Sequence, residues 1–224
     1  MTIPHVVLGA CMTAGAFIMG IALYHLRKQA LDQGPDISMY RKAVRFGAIV
    51  ALVASIGVVV SGDVQGKVMT EVQPMKMAAA EGLYETRASA PFSILTIGSL
   101  DGTSARPILE VPGLLSFLGT GSFSGEIQGI NDIQAADAAK YGANPQTASN
   151  SYVPVIWMTY WNFRLMMGAG FLTMLFAVMA LWKTRGEGVV TSGMWKHIAI
   201  WTPLLPVLAN SFGWIFTEVG RQPW

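Results

Sequence analysis

Cysteine is almost missing: Cys11, inside an apolar run, is the single thiol in 224 residues. An internal disulfide is therefore excluded, as is any zinc or iron–sulfur centre built on several cysteines. Charge is scarce as well, at 12% Asp, Glu, Lys and Arg, against about 25% in soluble domains. That argues against an ordinary soluble enzyme. A net charge of +2 offers no basic surface for nucleic acid. No internal repeat, low-complexity tract or phosphate-binding glycine motif is present. What the chain does have is apolar bulk, 52% hydrophobic with a mean hydropathy of +0.45, far from the composition of a disordered chain. These numbers point to an integral membrane protein.

Four stretches carry no Asp, Glu, Lys or Arg: 3–26, 46–62, 165–182 and 197–217. A helix crossing the hydrocarbon needs about 17–25 apolar residues, so all four qualify, the second only just. Helices satisfy their own backbone in lipid, so the predicted fold is all-α, a membrane bundle of four transmembrane helices with one long outer loop. The first run lacks a basic start and an obvious small-residue cleavage site, so it does not read as a signal peptide. The organisation is a helix pair over 1–62, a loop over 63–154 and a second pair over 155–224. Both short links are basic, with Arg27, Lys28, Arg41, Lys42 and Arg45 in one and Lys183, Arg185 and Lys196 in the other. The positive-inside rule puts both in the cytoplasm and the 63–154 loop and termini outside. Apolar islands at 92–100 and 108–118 are too short to cross; the loop reads as a small folded cap or as a lid over a lipophilic substrate. A transporter is disfavoured, since the spans show neither a charged midplane residue nor an inverted repeat.

Polar groups at membrane depth need a partner or a purpose. His5, at the outer end of the first span, reads by itself as an interfacial histidine. Arg164 and Met166 open the third span and read as a snorkelling arginine and a core methionine. Glu218 closes the fourth as an acid at the bilayer edge. Lys76 and Glu81 lie five apart, near one side of any helix formed there, as an ordinary surface pair would. The joint pattern allows more. A histidine and a methionine on different helices suit the two axial positions of a low-spin haem. An arginine fork suits its propionates, and tryptophans such as Trp161 and Trp214 suit the space around flat cofactors. Periodicity leaves both readings open.

The blocks HVVLGACMTAGAFIMGI, QPMKMAAAEG, FRLMMG and FTEVGRQPW, in that order, resemble subunit I of the cytochrome bd quinol oxidases over nearly the whole chain. The resemblance implies that His5 and Met166 are the axial ligands of a low-spin haem b, with Arg164 beside it. It implies that Glu218 ligates a high-spin haem b, flanked by Trp214 and Arg221. Lys76 and Glu81 would bind and oxidise a membrane quinol, and the loop is similar to the short quinol-loop type. Electrons would pass to haem d, whose axial ligand lies outside this chain, and there reduce oxygen to water. Implied partners are membrane quinol, oxygen, subunit II, the lipid bilayer and further N-terminal helices of subunit I, with no nucleic acid; the implied location is the bacterial cytoplasmic membrane. Family members carry helices ahead of the His5 segment and continue past GRQPW, so the chain resembles an internal fragment, inactive alone. The competing reading is a cofactor-free truncated membrane fragment. Neither reading separates ubiquinol from menaquinol.

Overall fold

In the computed structural model, residues 2–97, 106–144 and 151–221 are described. Four long helices dominate: α1 (Thr2–Asp32), α2 (Ile37–Val72), α6 (Ile156–Lys183) and α7 (Gly193–Val219). All four are long and apolar enough to cross a membrane. Each outruns its uncharged run, because an α-helix has no reason to stop where charge begins. At about 1.5 Å per residue α2 is about 54 Å long, well beyond a hydrocarbon core of about 30 Å. The stretch between α2 and α6 is folded rather than bare loop. It holds α3 (Pro74–Glu81), β1 (Arg87–Ala88), β2 (Phe92–Ile97), β3 (Arg106–Val111), α4 (Leu114–Thr120), β4 (Glu126–Ile127) and α5 (Ile130–Tyr141). The 92–100 island becomes β2 up to Ile97, its remainder lying outside the described residues, and the 108–118 island becomes most of β3 and the start of α4. The strands form two antiparallel pairs, β1 with β4 and β2 with β3.

The chain divides into two compact units, 1–62 with 166–211, and 63–165 with 212–224. In the first, small residues let backbones approach closely, as membrane helix interfaces require. A Cβ added at Gly15 would lie 2.6 Å from the Ala51 nitrogen, and one at Gly47 2.6 Å from the Met19 nitrogen. One at Gly20 would meet Pro203 Cδ at 2.7 Å and the Ala199 oxygen at 2.8 Å. Around these approaches Met19, Leu23, Leu26, Val44, Ala48, Ala177, Val190 and Trp195 form one buried cluster. Ile49, Val53, Ile56, Val60, Phe171, Leu175 and Val178 are exposed, an apolar surface suited to lipid. The basic links meet at one end of this unit. Arg27 donates to the Ser192 carbonyl at 3.0 Å, and Arg41 to the Gly188 and Glu187 carbonyls at 3.1 and 2.9 Å. Arg45 donates to Leu181 and Thr184 at 3.4 and 3.3 Å, satisfying carbonyls at the C-terminus of α6.

In the second unit α3 has the punctuation its sequence announces. Pro74 opens it, where the missing N–H costs nothing, and Gly82 ends it at φ 62°. The Leu83 N–H reaches back to the Ala78 carbonyl at 2.9 Å and the Gly82 N–H to Ala79 at 3.3 Å, a Schellman closure that makes Glu81 the last helical residue. Met75 and Ala78 pack with Ile130, Ile133 and Ile156. Met77 packs with Ala90, Leu115 and Ile127. In the β2–β3 ladder Ser93 is opposite Glu110 and Thr96 opposite Pro107, with register shifts either side of Leu95.

Candidate functional site

Lys76 and Glu81 are 7% and 6% exposed, so they are not the surface pair that composition suggests. Nor do they share a side: five residues turn an α-helix by about 140°, and the two side chains find different partners.

Glu81 meets Arg164. A guanidinium nitrogen of Arg164, Nη2, lies 2.9 Å from Glu81 Oε2, and both side chains are buried. The rest of the guanidinium is equally engaged. Nε and Nη2 donate to the Ser93 carbonyl, and Nη1 donates to the Ala80 and Tyr160 carbonyls. Five N–H groups thus make five hydrogen bonds to four protein acceptors, the condition under which a buried arginine is tolerable. The guanidinium carbon also sits 3.4 Å over the Tyr160 ring. Tyr160 is fully buried and donates its hydroxyl to Thr96 Oγ1 at 2.8 Å, while Ser93 and Thr96 hydroxyls lie 2.6 Å apart. Arg164 is therefore locked in the protein rather than snorkelling. Desolvation pushes the Glu81 carboxyl up to about 7, more than the Arg164 charge and hydrogen bond pull it down.

Lys76 turns to the 212–221 segment. Its Nζ donates to the Thr217 carbonyl at 3.3 Å and sits 4.9 Å over the Phe216 ring. The fit is close, since a Cβ at Gly220 would lie 3.0 Å from Lys76 Cγ. Burial, and then the Arg221 charge, push the ammonium below its ordinary value, while Glu218 acts the other way. Glu218 and Arg221 form an ion pair one turn apart, each partly exposed. Trp214, one turn before Glu218, is exposed. The QPW of the GRQPW block lies outside the described residues.

His5 and Met166 belong to the first unit, and both are half-buried. The His5 ring meets the Ser61 hydroxyl through Nδ1 at 2.9 Å. The residues resembling haem ligands can be tested on their free donor atoms. Among the described residues nothing bonds His5 Nε2, and nothing bonds Glu218 Oε1 while Arg221 holds Oε2. A histidine nitrogen, a thioether and a carboxylate oxygen are each competent haem-iron ligands, so the donor set fits. Among the described residues no three His, Cys, Asp or Glu side chains converge as a separate metal site. The sequence did not single out Tyr160, Ser93, Thr96 or Ser61. Tyr160 had a signal, being one helical turn before Arg164; the other three had none.

The family model for cytochrome bd terminal oxidase subunit I matches residues 1–224. The chain is 37% identical over 223 residues to cytochrome bd ubiquinol oxidase subunit 1 of Bacillus subtilis (strain 168), covering 99% of this chain and 45% of that protein. It is 26% identical over 272 residues to cytochrome bd-II ubiquinol oxidase subunit 1 of Escherichia coli (strain K12), covering 98% and 52%. It is 28% identical over 224 residues to a putative cytochrome bd menaquinol oxidase subunit I of Bacillus subtilis (strain 168), covering 100% and 47%. Among solved structures it matches the bd oxidase from Geobacillus thermodenitrificans with a TM-score of 0.78 at 27% identity, over 99% of this chain and 46% of that one. The chain thus spans about half the length of the relatives it matches. Its four apolar helices and bacterial relatives make it a multi-pass bacterial membrane protein. On the full-length family match and the shared fold, the chain belongs to the cytochrome bd terminal oxidase subunit I family.

Proposed function

We propose that this chain is the quinol-binding and haem-ligating part of a terminal quinol oxidase, acting with the rest of subunit I and with subunit II. The observation that carries the proposal is the buried Glu81, held by Arg164 with a carboxyl pushed up to about 7. Quinol oxidation releases protons along with electrons. A carboxylate poised near neutrality can accept such a proton and pass it on. Lys76 has no bond to Glu81; among the described residues its ammonium has one long bond, to a backbone carbonyl, and so keeps donors for a quinol oxygen. Holding Glu81 is instead the work of Arg164, whose remaining donors are all engaged. Toward a nearby haem, Arg164 therefore acts through its charge.

His5 through Nε2 and Met166 through its sulfur would hold the low-spin haem b, and Glu218 through Oε1 the high-spin haem b, with Trp214 and Arg221 alongside. Bound haem supplies one-electron chemistry at iron and, at the haem d site, the reduction of oxygen to water. The ligand of haem d lies outside this chain. The curated relatives' names include both ubiquinol and menaquinol oxidases, so the proposed substrate class is a membrane quinol.

Two sets of variants in the complete oxidase test the proposal. Lys76→Ala and Glu81→Ala are expected to impair quinol-driven oxygen consumption while haem content stays near normal. His5→Ala and Met166→Leu are expected to abolish the six-coordinate haem spectrum. Full quinol turnover in both loop variants would remove the quinol-site assignment, and an intact spectrum in either ligand variant would remove the axial one.

A further inference from the structure

The imidazole of His5 is held from behind. Its Nδ1 lies 2.9 Å from Ser61 Oγ. A serine hydroxyl has one hydrogen to give, and Ser61 has carbonyls to give it to: Gly57 at 2.8 Å and Val58 at 3.2 Å, on its own helix. With its hydrogen spent there, the Ser61 oxygen acts toward His5 as an acceptor. The hydrogen in the His5–Ser61 bond must then sit on Nδ1. Nε2 is left as the unprotonated nitrogen, its lone pair unbonded among the described residues.

We infer that Ser61 is a positioning residue that fixes the His5 tautomer and presents Nε2 to the iron of a haem. The inference rests on the reading of His5 as an axial ligand. A ligating histidine that donates its second ring N–H to an acceptor is oriented by it and made a stronger electron donor. Ser61 does this from α2, bonded at its own helix carbonyls, so the ligand on α1 is oriented by a neighbouring helix. A stronger imidazole donor favours ferric over ferrous iron. Removing the acceptor is therefore expected to raise the potential of the low-spin haem.

The test uses the complete oxidase in membranes, with redox titration of the low-spin haem and its electron paramagnetic resonance spectrum as readouts. Ser61→Ala is expected to keep the haem bound, shift its midpoint potential upward and move its low-spin g values. Ser61→Thr, which keeps a hydroxyl, is expected to match the parent in both. Unchanged potential and g values in Ser61→Ala would overturn the inference. Should Ser61→Ala fail to accumulate, Ser61→Thr and Ser61→Val decide, being close in shape and differing in the hydroxyl; identical potentials for these two would overturn it. His5→Ala separates this from the underlying reading: a low-spin haem that survives in that variant removes His5 as a ligand, whatever Ser61 does.

Discussion

Burial and charge pull the Glu81 carboxyl in opposite directions, and burial wins. The consequence is a base that changes state near physiological pH. Below about 7 the group is protonated and cannot take a proton from quinol; above it the carboxylate is available. Quinol oxidation, measured as kcat/KM against pH in the complete oxidase, is therefore expected to rise with pH through about 7. In Glu81→Gln that limb should vanish and turnover should fall about 100-fold or more, the usual scale for a lost general base. A limb of the same midpoint in Glu81→Gln would assign it to another group. The residue types at this site are legible in the sequence, since QPMKMAAAEG and FRLMMG stand out. Their pairing is not. Glu81 and Arg164 are 83 residues apart, and no local period links them. Ser93, whose carbonyl takes two of the Arg164 hydrogen bonds, is one of many serines until a strand places it.

Elements were legible in proportion to how far local chemistry determines them. The four apolar runs yield four helices because length and hydropathy alone decide the matter in lipid. The helix ends were not legible, since nothing in a run of apolar residues marks where the hydrogen-bond ladder stops. The Pro74 and Gly82 brackets give α3, yet β2 and β3 leave only short apolar islands, because a two-stranded pair depends on its partner more than on its own sequence. What seats α1 against α2 is finer still, a pair of glycines. A Cβ at Gly47 would press on backbone, 2.6 Å from the Met19 nitrogen and 2.8 Å from the Gly15 oxygen, whereas one at Gly170 meets nothing within 4 Å. Gly47→Ala must push the helices apart, an overpacking cost of about 1–3 kcal/mol. Gly170→Ala is expected to be neutral or to gain up to about 1 kcal/mol, since alanine is the better helix former. Thermal unfolding of the purified protein in detergent should separate the two by several degrees; equal midpoints would mean that the close approach does not limit stability.

At the scale of the molecule, the basic links fix a direction as well as a fold. Arg27, Arg41 and Arg45 on one link bond carbonyls between Leu181 and Ser192 on or beside the other. The two links therefore form one end of the first unit, and the concentration of Lys and Arg there is expected to direct that end to the cytoplasm. Residues 63–154, with Lys76 and Glu81, would then begin and end on the opposite side of the membrane, and protons released from quinol would leave outward. Cysteine labelling tests this directly, in a Cys11→Ser background so that the native thiol does not report. Asp36 and Lys140 are both exposed, one in the first basic link and one at the end of α5. With a membrane-impermeant maleimide, Lys140→Cys is expected to react in intact cells. Asp36→Cys should react only after the membrane is opened. The reverse pattern would turn the molecule over, put Glu81 on the cytoplasmic face and end the argument for outward proton release, while leaving the Glu81–Arg164 pair and the proposed role of Glu81 as base untouched.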